Sequence, residues 1–128
     1  QTLVRGLFSG GTYCTEAQLV WRDAGLETWS NAPLDPAHAL PAGERAKGHS
    51  AIDLGADEFT VGRPHPMIDP AMRIERILAE ARDPAVAALV LDVVLGYGAH
   101  ADPAGALAPA IREARAHAAQ QGRELVVI

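Results

Sequence analysis

The chain has 128 residues, a length that fits one domain with a hydrophobic core of its own. Hydrophobic residues make up 48% and charged residues 21%, and no apolar run is long enough to span a membrane. The net charge of −5 and the aromatic content of 5% argue against a nucleic-acid-binding protein. The single cysteine, Cys14, has no partner for an internal disulfide, which favours a reducing compartment such as the cytoplasm.

The first half of the sequence predicts a strand, a helix, a long connection and a second strand. Residues 3–8 are mostly apolar, as in a buried strand, and a glycine-containing turn follows. Residues 26–48 contain three prolines and no sustained period, so we expect a long loop or arm there, followed by a strand at 50–55. Between the turn and Gly25, apolar residues recur at helical spacing: Tyr13, Ala17, Val20 and Ala24.

The second half repeats this alternation. Asp69 and Pro70 begin a helix, and residues 87–95 are nearly all apolar, as expected of a central parallel strand covered on both faces. Asp102 begins a longer helix, and residues 125–128 form a fourth strand. The inner faces of the two helices are predicted to carry Ile74, Ile77, Leu78 and Ala81, and Leu107, Ala110, Ile111, Ala114 and Ala118.

Strands that alternate with helices indicate an α/β domain with a parallel sheet and helices on both faces. We expect residues 26–48 to lie at its periphery. The sequence starts without methionine and stops inside an apolar run, so residues 1–128 are interpreted as one domain of a larger protein.

Three glycine-containing loops leave the predicted strand ends, where open parallel sheets bind ligands. The first is the best candidate for an anion-binding site, because it opens a helix whose free amides favour a phosphate or carboxylate. Its candidate residues are Ser9, Gly10, Gly11 and Thr12. The alternative is a tight turn in which Thr12 only caps the helix.

The other two loops supply further candidates at the same edge. Arg63 and His65, held between prolines, are predicted to add a cation and a titratable donor to the anion site, or else to face solvent. Asp92 is either a buried functional carboxylate or a cap for a neighbouring loop. The candidates of this third loop are Asp92, Gly96, Tyr97, Gly98 and His100.

The sequence contains no motif typical of a metal site or of a serine hydrolase. His49, His65 and His100 lack the spacing of a metal site, so no metal is expected. The Gly-x-Ser-x-Gly motif of serine hydrolases is missing. Cys14 is expected to be structural rather than a nucleophile.

Three stretches carry a family resemblance. Residues 4–17 resemble the strand, turn and helix that open the ligase domain of the succinyl-CoA synthetase α subunit. The stretches at 62–70 (GRPHPMIDP) and 91–100 (LDVVLGYGAH) resemble FdrA-type acyl-CoA synthetase-like proteins. The likeness extends over nearly the whole chain except residues 26–48.

The resemblance implies a flavodoxin-like domain of an acyl-CoA ligase-type enzyme. In that family a helix start at the position of residues 9–12 holds the phosphate of a catalytic histidine, and the histidine loop follows the strand matching residues 125–128. CoA would then be bound mainly by another domain of the parent protein, and other domains, a partner subunit or a second copy would be its partners.

Two departures from the family keep other functions open. Arg63 replaces an acidic residue in the second loop, and Val94 stands where the synthetases have a glutamate beside the phosphohistidine. The alternatives are a noncatalytic module that docks a CoA-binding domain and a partner subunit, or part of an oxamate carbamoyltransferase.

Overall fold

The computed structural model describes residues 2–41 and 44–128. The strands are β1 (Leu3–Phe8), β2 (Thr28–Ser30), β3 (His49–Asp53), β4 (Val86–Leu91) and β5 (Val126–Val127). The helices are α1 (Gly11–Asp23), α2 (Asp57–Thr60), α3 (Ala71–Ala81) and α4 (Pro103–Gln120), with a 3-10 turn at Pro36–His38. All strand pairs are parallel, in the order β2-β3-β1-β4-β5, which confirms the predicted fold class.

The four predicted strands all form, but the second and third end two or more residues earlier than the sequence suggests. The second ends at Asp53 rather than at residue 55, and the third ends at Leu91 rather than at residue 95. Each strand stops where a polar side chain begins to bind backbone amides. Asp53 accepts a hydrogen bond from the Gly55 amide, and Asp92 accepts one from the Ser9 amide.

The segment 26–48 lies at the edge of the sheet, as expected, but it is more than a loop. It contributes β2, which pairs with β3, and it buries Leu40, whose amide donates to the Ser30 carbonyl at 2.8 Å. Residues 42 and 43 lie outside the described part. Thr28 and Trp29 are β-branched and aromatic, residue types that favour a strand even within a proline-rich segment.

The two faces of the sheet are covered unequally. Helices α3 and α4 cover one face with a large apolar core that includes Leu7, Ile77 and Leu89. On the other face α1 packs over β1 and β3, where the buried cluster is Phe8, Cys14 and Ala51.

The predicted apolar stripe of α1 faces the sheet only in part: Ala17 packs against the buried cluster, but other members are exposed. Cys14 and Gln18 are the buried residues of this helix, whereas Tyr13 is 55% exposed and Val20 is 64% exposed. An apolar stripe on a helix ordinarily packs against a core, so these exposed members lack their usual neighbour among the described residues.

Two buried arginines fasten α3 to opposite ends of the sheet. Arg5 of β1 pairs with Glu80 of α3 and donates to the Gly48 carbonyl at 2.9 Å. Arg73 of α3 pairs with Asp92, which follows β4, at 3.2 Å. Asp92 lies at the carboxyl end of the sheet, so the second network positions the loops where ligands of such folds bind.

Candidate functional site

The three strand-end loops converge on one cleft of about 390 Å³ at the carboxyl edge of the sheet. The first loop and the start of α1, the loop after α2, and the residues after β4 all contribute. The lining residues are Ser9, Gly10, Thr12, Tyr13, Glu16, His65, Met67, Asp92 and Val94.

The start of α1 opens onto this cleft without a side-chain cap. The N-cap residue is Gly10, in extended backbone at φ −158°, and no acidic residue lies in the first turn. Thr12 lies inside the helix, so the alternative in which it caps the helix is wrong. A Cβ placed on Gly10 would meet no atom within 4 Å, which leaves open space in front of the first amides.

Ser9 and Asp92 are joined by a buried network. The Asp92 carboxylate accepts from both the amide and the hydroxyl of Ser9, at 2.9–3.1 Å. Arg73 pairs with this carboxylate, and its Nη2 donates to the Asp92 carbonyl at 2.8 Å. Asp92 therefore caps the neighbouring loop, the second of its two predicted roles. The Ser9 hydroxyl hydrogen is committed to Asp92, so from a ligand this hydroxyl can only accept a hydrogen bond.

The burial of Arg73 has an electrostatic consequence. Burial lowers the pKa of its guanidinium, and the carboxylate of Asp92 opposes that shift. An arginine nevertheless stays charged in proteins. The negative charge of Asp92 therefore offsets the energetic cost of burying the Arg73 guanidinium.

His65 is oriented towards the first loop. Its Nδ1 accepts from the Met67 amide at 3.1 Å, so in the neutral ring the hydrogen is on Nε2. A Cβ built on Gly55 would collide with the Ser9 carbonyl and with the His65 ring, and only glycine allows this close approach. The ring is partly buried and lines the cleft, where its Nε2–H could bind a ligand oxygen.

Arg63 lies apart from this cleft. This position corrects the prediction that Arg63 belongs to the anion site. Its guanidinium is 3.5 Å from the Glu75 carboxylate of α3, and both side chains are exposed. It lines a separate depression with Leu54 and Met72. The direction of the chain after Gly62, which has a φ of +72°, separates Arg63 from His65 although only Pro64 lies between them.

The third loop divides into an anchored part and a protruding part. The His100 amide donates to the Met67 carbonyl at 2.9 Å, and its Nδ1 accepts from the Asp102 amide. His100 therefore ties the loop to the start of α4. Gly96 and Gly98 have φ values of +145° and +82°, and Tyr97 between them is fully exposed.

Asp53 is the site residue that the sequence analysis missed. A Cβ built on Gly11 would lie 3.4 Å from its Oδ2, which places the carboxylate beside the start of α1. Burial raises the pKa of Asp53, while the hydrogen bond from the Gly55 amide and the nearby His65 lower it. Asp53 is the last residue of β3, and its position at a parallel strand end was the available signal.

Cys14 is fully buried, and burial raises the pKa of its thiol to about 11. It contacts the Ala51 carbonyl and the Ser30 hydroxyl. A thiol with such a pKa is a poor nucleophile at neutral pH.

Within 2–41 and 44–128, no three His, Cys, Asp or Glu residues are grouped so that they could hold a metal ion. None of the described helices is long and apolar enough to cross a membrane.

The chain is similar in sequence to a known protein family. The model of the CoA-ligase family matches residues 7–128, from the end of β1 to the last residue. The chain belongs to the CoA-ligase family. It is also 47% identical over all 128 residues to YahF, an uncharacterized protein of Escherichia coli (strain K12). The chain spans 25% of the length of that relative.

The cleft at the carboxyl edge of this CoA-ligase domain lacks the positive charges that CoA needs. CoA carries a diphosphate and a further phosphate, which need several cations close together. The cleft at the carboxyl edge is lined by Glu16 and Asp92, and the cation nearest to Asp92, Arg73, is buried against it.

Proposed function

We propose that this chain is the ligase-type domain of an FdrA-like, acyl-CoA synthetase-related enzyme of the cytoplasm. It binds a small anionic group, such as a phosphate or a carboxylate, at the turn formed by residues 9–12. In the parent enzyme CoA is bound mainly by another domain, which meets this domain at the carboxyl edge of the sheet.

The observation that carries the proposal is the uncapped start of α1. Gly10 leaves the first amides without a side-chain cap, and a Cβ built on Gly10 would meet no atom within 4 Å. Free amides and the positive end of the helix dipole both favour an anion at such a position. The Nε2–H of His65, which also lines the cleft, supplies a further donor.

The acidic neighbours limit which anion binds. Asp53 lies beside the start of α1 and Glu16 lines the cleft, so a highly charged ligand is disfavoured when both are ionised. The raised pKa of Asp53 reduces this repulsion, because its neutral form is more accessible than that of an exposed carboxylate. A small group held mostly by backbone amides suits this balance better than a nucleotide.

The second candidate function is a noncatalytic docking module, and the third loop favours it. Leu95 is 77% exposed and Tyr97 is fully exposed beside the cleft, as in a surface that contacts another domain or subunit. An oxamate carbamoyltransferase is the third alternative. Its amide substrates carry N–H donors, which the Ser9 hydroxyl and Glu16 could accept.

Phosphate titration followed by amide chemical shifts tests the anion site. We expect the amides of Gly11 and Thr12 to shift with saturation, because they face the open space at the start of α1. The Gly10→Val variant should abolish these shifts without loss of folding, since its extended backbone accepts a branched residue and its Cβ meets no neighbour.

The matched control is Arg63→Ala. Arg63 pairs with Glu75 away from the cleft, so this variant should bind phosphate as the unchanged chain does. A weaker affinity in the control would restore Arg63 to the site. Absence of saturable shifts in the unchanged chain would refute the anion site and leave the docking module as the better account.

A further inference from the structure

The Asp53 carboxylate presents one oxygen to the start of α1 without a hydrogen-bond donor. Its Oδ1 accepts from the Gly55 amide at 2.9 Å, and this bond alone accounts for a structural role. Its Oδ2 accepts no hydrogen bond from residues 2–41 or 44–128, and it lies 3.4 Å from a Cβ built on Gly11. The Cβ of a helical residue leans towards the start of the helix, so Oδ2 lies on the side from which an anion approaches the first amides.

The side chain of Asn31 holds Asp53 in this position. Its Nδ2 donates to the Asp53 carbonyl at 2.9 Å, and its Oδ1 accepts from the Asp53 amide at 2.9 Å. Both peptide groups that flank the Asp53 side chain are therefore fixed, and the Gly55 amide fixes one of its two oxygens. We therefore expect the second oxygen to keep its place at the helix start when a ligand binds.

The free oxygen of Asp53 can only accept a hydrogen bond when the carboxylate is ionised. None of the ion pairs within the described ranges includes Asp53. An anion without hydrogens therefore brings its charge and lone pairs against Oδ2, which repels it. An anion that carries an O–H donates to Oδ2 instead, in a charge-assisted hydrogen bond. The two kinds of anion differ at this one contact, and a site that is left with an unpaired polar group rejects the wrong ligand.

The selectivity of this contact rests on the anion site proposed above. We propose that Asp53 makes that site selective for a tetrahedral oxyanion that retains a proton, namely hydrogen phosphate. The phosphate oxygens accept from the amides of Gly11 and Thr12, and the phosphate O–H donates to Oδ2 of Asp53. Sulfate, and any phosphate analogue whose hydroxyl is replaced by a group without hydrogen, binds more weakly.

Titration with three anions tests this selectivity. Phosphate, sulfate and fluorophosphate are added at about pH 8 to the unchanged chain, to Asp53→Asn and to Glu16→Gln, and the amide shifts of Gly11 and Thr12 are followed. All three anions are tetrahedral and mainly doubly charged under this condition, and only phosphate carries an O–H. The comparison of anions within the unchanged chain needs no variant, so it decides the question even if Asp53→Asn does not fold.

We expect the unchanged chain to bind phosphate at least about tenfold more tightly than sulfate or fluorophosphate, the effect of one hydrogen bond to a charged group. In Asp53→Asn this ratio should fall to about twofold, because the amide group that replaces Oδ2 can donate to any of the three anions. Glu16→Gln is the matched control. It removes a carboxylate that lines the cleft, so it should change all three affinities alike and keep the ratio.

Equal affinities for phosphate and sulfate in the unchanged chain, with saturable shifts of Gly11 and Thr12, overturn the selectivity and leave the anion site in place. A ratio that survives in Asp53→Asn, or that falls equally in Glu16→Gln, also overturns it, since Asp53 is then not the selecting group. Absence of saturable shifts with all three anions refutes the anion site itself and the selectivity with it.

Discussion

The face covered by α3 and α4 and the face covered by α1 are built on different principles. On the first, fully buried apolar side chains such as Ile77 and Leu89 pack between helix and sheet. On the second, α1 buries Cys14 and Gln18 over a smaller apolar cluster and leaves Val20 exposed. We therefore expect the first face to contribute more to the free energy of unfolding than the second.

Polar contacts, in addition to a small apolar cluster, position α1. The Gln18 amide donates to the Ala32 carbonyl at 3.0 Å, and its oxygen accepts from the Leu34 amide at 3.2 Å. These bonds hold the connection after β2 as well as the helix. The start of α1 is thus fixed at the cleft by these bonds together with the small apolar cluster beneath the helix.

The largest expected effect comes from breaking the network that links the α3 face to the cleft. Asp92→Ala removes the countercharge of the buried Arg73 and the acceptor of the Ser9 amide. Loss of one partner of a buried ion pair costs about 3–5 kcal/mol of the free energy of unfolding. Urea denaturation followed by circular dichroism measures this loss.

Substitution of an exposed aspartate is the matched control for Asp92→Ala. Asp23→Ala at the exposed end of α1 should change the free energy of unfolding by less than about 0.5 kcal/mol. Asp92→Asn should lie between the two, because it keeps an oxygen for Ser9 and loses only the charge. A cost below about 1 kcal/mol for Asp92→Ala would mean that Arg73 is not held by this carboxylate.

A pair of substitutions compares the two faces directly. Ile77→Ala on α3 creates a cavity in the core and should cost about 2–5 kcal/mol. Val20→Ala on α1 removes an exposed side chain and should change stability by less than about 0.5 kcal/mol in the 128-residue chain. Both are measured by urea denaturation, and similar costs at the two positions would contradict the unequal covering of the sheet.

The sequence predicts the covered face better than the open one. The stripes of α3 and α4 pack where their periodicity places them, because apolar burial decides the orientation of those helices. In α1 the orientation follows from Gln18 and Cys14, whose partners Ala32 and Ala51 are distant in sequence. A pattern of apolar residues contains no information about such long-range hydrogen bonds.

The sequence also predicts only part of the candidate site: it predicts where the loops meet but not how their side chains are directed. The convergence of the three loops follows from parallel strand order, which the alternation of elements predicts. The separation of Arg63 from His65 and the approach of Asp53 to α1 depend on side-chain directions within loops. Those directions result from tertiary contacts, such as the bond from the Met67 amide to His65, and no local spacing specifies them.

A smaller effect than those of the buried substitutions is expected for the charge at the start of α1. Asp53→Asn keeps an oxygen for the Gly55 amide and removes a negative charge a few ångströms from the proposed anion. One like charge at that range, screened as in water, opposes binding by about 1 kcal/mol, so the variant should bind sulfate about fivefold more tightly at neutral pH.

Sulfate affinity measured by calorimetry for the unchanged chain and for Asp53→Asn, between pH 5 and pH 8, tests the anion site most directly. Sulfate keeps its charge over this range, whereas the raised pKa of Asp53 means that its carboxylate begins to take up a proton at a higher pH than usual. The account predicts tighter binding by the variant at pH 8, with a difference that narrows as the pH falls towards that pKa. Equal affinities at pH 8, or no sulfate binding by either chain, would contradict an anion site at the start of α1.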